Sequence, residues 1–436
     1  MRALGASRTS VATGGILGAN WARDPLWKNA RAVPSLDLRF AENKSLTDAK
    51  TGASLVTFTR ASTGTFVGSD GLLRSATTDE ARFDHNPTTG ESLGLLVEEA
   101  RTNLSLYSED FSNAYWTKTD CTITANESTA PDGTTTADLW TNTASPGTIN
   151  NSITKDATIR TYTSSVWVKG TMAQFTITVD SGSAVNRGRI QYNLTANTVS
   201  SVFNEGTFTG TSGTLTPYPN GWVRLTLTTT TSTGTTIRFR PFFSGTGSTV
   251  RIWGAEVEEE AFPTSYIPTT TATVTRAADV ASITGANFSS WYRQDEGTVF
   301  SDCVGTFSAT QVLVNMSATA ANIATSAISL ASNLTSSQKR VRVRDAASAD
   351  QASLALGAAS SGSRTRIAVA IKADDFAASL DGGATVTDAT GTVPTVALME
   401  IGSSPSGVTL GTQLHRRLTY WPVRLANTTL QAITQP

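Results

Sequence analysis

The sequence predicts an all-β protein built from β-sandwich modules, and three observations carry that prediction. Short stretches of alternating apolar and polar residues recur along most of the chain, each bounded by Gly, Asn, Asp or Pro. No helix-length 3.6-residue period interrupts the middle of the chain. Charged residues are only 16% of the 436, yet hydrophobic residues still reach 39%, with Thr, Ser, Ala, Gly and Asn filling the gap. Small hydroxylated surfaces of this kind suit pleated sheets. At about 150 residues per domain, the length allows two or three domains.

Taken in order, residues 1–34 hold Gly, Ala and Arg together with Trp21 and Trp27 and keep no sustained period. The two large aromatics suit a terminus ordered against a partner, an attachment arm. Short strands then follow at 36–40, 55–60, 65–67, 72–74 and 93–97, separated by turns such as Gly68-Ser69-Asp70-Gly71. This 35–104 stretch reads as a strand-rich connector, or else as strands completing the C-terminal sandwich with the middle module inserted between them. Residues 105–270 carry strands at 164–168, 175–179, 188–194, 222–228, 237–243 and 250–257, the spacing of a sandwich or jelly roll. A Thr/Pro link at 268–273 opens a fresh strand series over 271–436, in which Asp381-Gly382-Gly383 is a tight turn. One helix is expected, at 428–433, capped by Asn427. The sequence Val274-Thr275-Arg276-Ala277 echoes Phe58-Thr59-Arg60-Ala61.

Several functions are disfavoured. Lys plus Arg is 34 and Asp plus Glu 35, a net charge of −1, which offers no footprint for a nucleic-acid backbone. The apolar runs fall far short of the roughly 20 residues that span a bilayer, so no membrane insertion is expected. The start resembles a signal peptide only superficially, since Arg8, Thr13, Gly14, Gly15 and Gly18 interrupt it. His85 and His415 are too few for most zinc sites, and Cys121 and Cys303, far apart, read as buried apolar residues. Neither a metal nor a cofactor is expected. No Walker loop, GxGxxG, HExxH or GxSxG occurs. Glu256, Glu258, Glu259 and Glu260 read as a solvated strand face, and Asp374-Asp375 as a turn. No catalytic residue is assigned, and the expected class is not an enzyme.

Three segments carry a resemblance. The stretch GLLVEEARTNL at 94–104, with YSEDFSNAYW at 107–116, resembles a segment recurrent in tailed-bacteriophage virion proteins, above all head spikes or head fibres and some tail fibres. The stretch IWGAEVEE at 252–259, followed by PTSYIPT at 263–269, resembles the closing strand of carbohydrate-binding-module-like jelly rolls in such proteins. Residues 366–369, 381–383 and 417–422 with Leu425 resemble the end of a concanavalin-like (laminin-G-like) sandwich. The resemblance implies a virion-surface spike or fibre, assembled in host cytoplasm and homo-oligomeric, with a trimer as one form. It implies an N-terminal arm, residues 1–34 with Trp21 and Trp27, that meets other virion proteins. It also implies lectin-like modules, a 105–270 jelly roll and a 271–436 sandwich, but transfers no sugar site; the function expected of them is reversible engagement of host-surface polysaccharide. A capsid decoration protein without a ligand and a polysaccharide depolymerase are the alternatives. Sugar rings stack on exposed aromatics, so Tyr115, Trp116, Tyr218 and Trp222 at loop–strand junctions are the carbohydrate-binding candidates. Trp167 and Trp253, inside strands, are expected in the core.

Overall fold

The computed structural model describes residues 24–183, 185–231, 233–306, 311–320, 322–332, 338–358, 360–402 and 411–436. Trp21 lies outside the described residues. Two antiparallel β-sandwiches make up the fold.

The larger sandwich joins both ends of the chain. One sheet runs Val386–Asp388, Phe376–Leu380, Arg364–Lys372, Glu296–Thr306, Thr412–Trp421, Ser92–Glu98 and Arg82–His85, and Leu36–Leu38 also pairs with Thr412–Trp421. Its partner sheet runs Thr57–Thr59, Val280–Thr284, Leu398–Ile401, Gln311–Ser317, Ala327–Ser332, Gln338–Arg344 and Asp350–Ala358. Strict alternation explains the assignment. Val341 and Val343 point into a core shared with Leu95, Val299 and Ile367, while Arg340, Arg342 and Arg344 take the other face. Two helices, Pro25–Ala30 and Asn427–Thr434, cover the outer side of the first sheet around Phe300 and Trp421.

The helix Pro25–Ala30 corrects the reading of residues 24–34 as aperiodic. The Asp24 side chain accepts from the backbone N–H groups of Leu26 and Trp27, and Pro25 occupies the first turn. The terminal helix starts at Asn427 with Ala426 as its cap and no side-chain cap bond, so the expected Asn427 cap is also corrected. Cys303 is buried as expected, but Cys121 is only half-buried on an outer strand.

The second sandwich is inserted between residues 103 and 274. Its seven-stranded sheet runs Thr209–Ser212, Val223–Thr230, Thr161–Lys169, Thr249–Glu259, Ala137–Asn142 and Cys121–Ser128, with Leu215–Pro217 pairing to Val223–Thr230. Its six-stranded sheet runs Thr198–Glu205, Arg187–Asn193, Phe175–Asp180, Thr236–Phe243, Gly147–Thr154 and Thr117–Thr119. Ile177, Val179, Ile190, Tyr192, Ile237 and Phe239 fill the space between the sheets. Each large apolar side chain buried there contributes about 1.5–3 kcal/mol.

The chain enters this module through Arg101–Asn103 and leaves through Val274–Arg276, and the two segments pair antiparallel. Asn103 staples the crossing: its Nδ2 donates to the carbonyls of Ala255 (3.1 Å) and Ile267 (2.8 Å), and its Oδ1 accepts from Ser105 N and Val257 N. Beside it lies a buried ionic cluster. Arg60 meets Asp279 at 3.1 Å, Arg82 bridges Asp279 and Glu98, and Arg276 meets Glu98 at 2.9 Å. The echoed Thr-Arg-Ala segments therefore bring Arg60 and Arg276 into one cluster. Burial works to raise the Glu98 carboxyl, but Arg276 and Arg82 outweigh it and hold it at about 2.

Candidate functional site

The four aromatic candidates do not form a platform. Trp222 is 2% exposed, its Nε1 donating to the Thr129 carbonyl at 3.1 Å, and Trp116 is 1% exposed, its Nε1 donating to the Tyr107 carbonyl at 3.0 Å. Neither offers a ring face to a ligand. Tyr115 is half-buried, edge-on to Trp116 at 5.5 Å, and its hydroxyl accepts from Asn151 Nδ2. Tyr218 is half-buried and edge-on to Trp167 at 5.8 Å. Trp27, the arm candidate, is buried and donates through Nε1 to Asp37 at 3.0 Å, so its ring packs within this chain.

The physical reason lies in the junction between the sandwiches. Trp167 and Trp253 point out of the seven-stranded sheet and, together with Tyr266 and with Trp222 just before the strand Val223–Thr230, pack against Val67 and Leu73 of the hairpin formed by Gly64–Val67 and Leu73–Ala76. Trp167 and Trp253 are thus buried as expected, but in this junction and not between the two sheets. Glu256 and Glu258 are buried there too, which corrects the solvated reading. Glu256 pairs with Arg224 at 2.8 Å and accepts from Ile267 N, while Glu258 accepts from the Thr264 backbone N–H. The chain returning through 262–267 covers both.

One outer face of the inserted sandwich is therefore consumed, and the other, on the six-stranded sheet, carries the candidate site. With Ile190, Tyr192, Ile237 and Phe239 turned inward, alternation places Arg187, Arg189, Arg238 and Arg240 outward. Cross-strand register aligns them in two rows. The first is Glu205–Arg187–Asp180–Arg238, and the second is Phe203–Arg189–Thr178–Arg240. Two strand spacings, about 10 Å, separate the arginine pairs. Glu205 is shared by Arg187 and Arg189, and Asp180 by Arg238 (2.7 Å) and Arg240 (3.1 Å). The Arg189 guanidinium lies 4.0 Å from the Phe203 ring centroid, and that of Arg240 lies 5.6 Å from Phe242. Such a surface can receive anionic or polyhydroxylated groups by charge-assisted hydrogen bonds.

A second feature is a cleft of about 310 Å³ at the junction, where Glu109, Asp132, Tyr266 and Arg74 meet. The Tyr266 hydroxyl donates to Glu109 at 3.1 Å. Burial and, secondarily, the charge of Asp132 raise the Glu109 carboxyl. Burial also raises the Tyr266 phenol, the opposite of an activated nucleophile. Among the described residues no group of three or more His, Cys, Asp or Glu could hold a metal ion.

No family model matches the chain, and no curated protein matches it either. Solved structures do match, with low identity. A Ruminococcus gnavus IT-sialidase CBM40 bound to alpha2,3 sialyllactose has 14% identity and a TM-score of 0.29, covering 33% of this chain and 84% of that one. The NanB sialidase from Streptococcus pneumoniae has 13% identity and a TM-score of 0.29, over 34% of this chain and 26% of that one. Trypanosoma rangeli sialidase has 9% identity and a TM-score of 0.29, over 68% of this chain and 60% of that one. Likeness at this level concerns β-architecture alone and transfers neither ligand nor activity. The expectation that the chain is not an enzyme is not borne out, since the structures it is similar to include sialidases.

The arginine face was not among the sequence candidates. Its signal was present as Arg187-Gly188-Arg189 and Arg238-Phe239-Arg240, two Arg-x-Arg alternations that a strand turns to one side.

Proposed function

We propose that this protein is a glycan-binding surface protein of a tailed-bacteriophage virion, engaging host polysaccharide through the open face of its inserted sandwich. The observation that carries the binding reading is the division of that module's two outer faces. One is cemented to the larger sandwich by tryptophans, and the other presents ordered arginines, 20–28% exposed, above buried threonine hydroxyls. The virion setting is supported by the segments at 94–116 and 252–269, and attachment is assigned to the N-terminal arm. Weak sites repeated on a homo-oligomer suit reversible capture, since avidity can add roughly 10² to 10⁴ without any new contact. Retention of purified protein on host cells, with and without their surface polysaccharide, tests the binding, and antibody labelling of particles tests the location. Retention that is indifferent to the polysaccharide would refute the first, and unlabelled particles the second.

A second reading, hydrolysis of the bound glycan, is favoured by the junction cleft, where a carboxyl raised by burial stands near a second carboxylate. Release of reducing ends from host polysaccharide, abolished by Glu109→Gln, would support it. No release at any pH between 4 and 8 would remove it.

A further inference from the structure

We propose that the open face of the six-stranded sheet selects glycan chains bearing carboxylate or sulfate groups, received by Arg187, Arg189, Arg238 and Arg240. This deepens the glycan-binding reading and rests on it. Four arginines share two carboxylates, so the face holds two positive charges in excess within a chain of net charge −1. The pairing is also economical in nitrogen. Arg187, Arg238 and Arg240 each contact their carboxylate through Nε alone, and Arg189 through one Nη. Among the described residues, both Nη groups of Arg187, Arg238 and Arg240 therefore lack a protein acceptor, and these paired N–H groups match the two oxygens of a carboxylate or sulfate.

A second, independent observation points the same way. The Thr176 and Thr178 hydroxyls and Arg189 Nε are buried without a hydrogen-bond partner. Thr176 and Thr178 alternate with the core residues Ile177 and Val179, so they sit on the floor of this face, with Thr178 between Arg189 and Arg240. Orphaned polar groups under an arginine roof are what a polyhydroxylated acidic ligand would satisfy. Contacts with Phe203 and Phe242 hold two of the guanidinium groups in place beforehand. The other basic strip, Arg340, Arg342 and Arg344, borders polar residues that already bond one another, with Ser329 donating to Asn315 at 2.8 Å and Asn315 to Glu400 at 3.1 Å. A nucleic acid is disfavoured because two excess charges make a short electrostatic footprint.

The test titrates the full chain with oligogalacturonate, dextran sulfate and neutral dextran by calorimetry, with a DNA duplex as a fourth ligand. The double variant Arg187→Gln/Arg240→Gln removes both excess charges yet leaves Glu205 with Arg189 and Asp180 with Arg238. Thr178→Val removes a hydroxyl without changing charge and keeps the test open should the double variant misfold. Arg342→Gln controls for the other strip. The expected result is binding of an acidic chain and not of neutral dextran, weakened about tenfold or more by the double variant and severalfold by Thr178→Val, with Arg342→Gln unchanged. Preference between the two acidic chains identifies carboxylate or sulfate as the source. Equal binding of neutral dextran would sink the selectivity while leaving glycan binding intact. Binding of none of the three chains would sink both. Tighter binding of the duplex would reassign the face to nucleic acid and overturn the proposal.

Discussion

Replacing Asp279 by Asn should destabilise the whole molecule, because Asp279 sits where the two sandwiches meet. Its carboxylate faces Arg60 and Arg82, all three side chains at 0% exposure, and accepts from Glu98 N at 2.8 Å. With Asp279 neutral, Arg60, Arg82 and Arg276 are left with the single carboxylate of Glu98. Removing one partner of a buried ion pair costs about 3–5 kcal/mol. The retained amide oxygen keeps one acceptor, which places the expected loss near the lower end of that range. Total stabilities run about 5–15 kcal/mol, so the change should be plain in urea unfolding followed by circular dichroism. The control is Asp350→Asn, the same change at a 37% exposed carboxylate shared by Arg342 and Arg344. There the cost should stay within about 1 kcal/mol. Equal losses at both positions, or a loss under about 1 kcal/mol at Asp279, would show that the cluster does not fasten the sandwiches together.

Other outcomes follow from the same geometry. Trp222→Ala should cost about 3–5 kcal/mol in unfolding experiments, and a variant of unchanged melting temperature that no longer binds glycan would restore Trp222 as a sugar platform. Burial, helped by the charge of Glu98 and opposed by Arg82 and the Val67 N–H, raises Asp84 from 3.8 to about 7. Its folded pKa lies above its unfolded one, so its contribution is full below 3.8 and is lost as pH rises through about 7. Asp84→Asn should therefore stabilise the protein at pH 8 and change little at pH 3.5, and urea midpoints at the two values check this. Burial lowers His415 from 6.5 to about 4, and neither ring nitrogen has a hydrogen-bond partner. Stability from the neutral ring is present above 6.5 and lost as pH falls through about 4, so His415→Leu should flatten the acid limb of the melting curve over that window.

The strands were legible because alternation reports period directly, and most observed bounds fall within a few residues of those expected. Which face of a strand meets what was not legible. Trp167 and Trp253 read as interior from alternation alone, yet they point away from the core between the sheets. Their cover is a hairpin about 90 residues or more upstream. Glu256 and Glu258 looked solvated for the same reason, since Arg224 and Thr264 bury them only after the chain has turned back. The segment at 94–104 stood out, but Glu98 and Asn103 act on Asp279, Arg276, Ala255 and Ile267, more than 150 residues away. Arg187 and Arg238 lie on separate strands, and nothing in the alternation of either strand links the two. Only the pairing of both strands with Phe175–Asp180 gathers them round Asp180. The Asp24-Pro25 pair is a legible helix start, but the helix it opens has only six residues, too few to show a period.

The most direct test of the account asks where the ligand touches the protein. Arginines of the intact chain would be modified with phenylglyoxal, with and without saturating oligogalacturonate, and the modified sites mapped by mass spectrometry. Protection is expected at Arg187, Arg189, Arg238 and Arg240, with Arg340, Arg342 and Arg344 reacting as before. Protection confined to the latter three, or no protection at the first four while the ligand is bound, would contradict it.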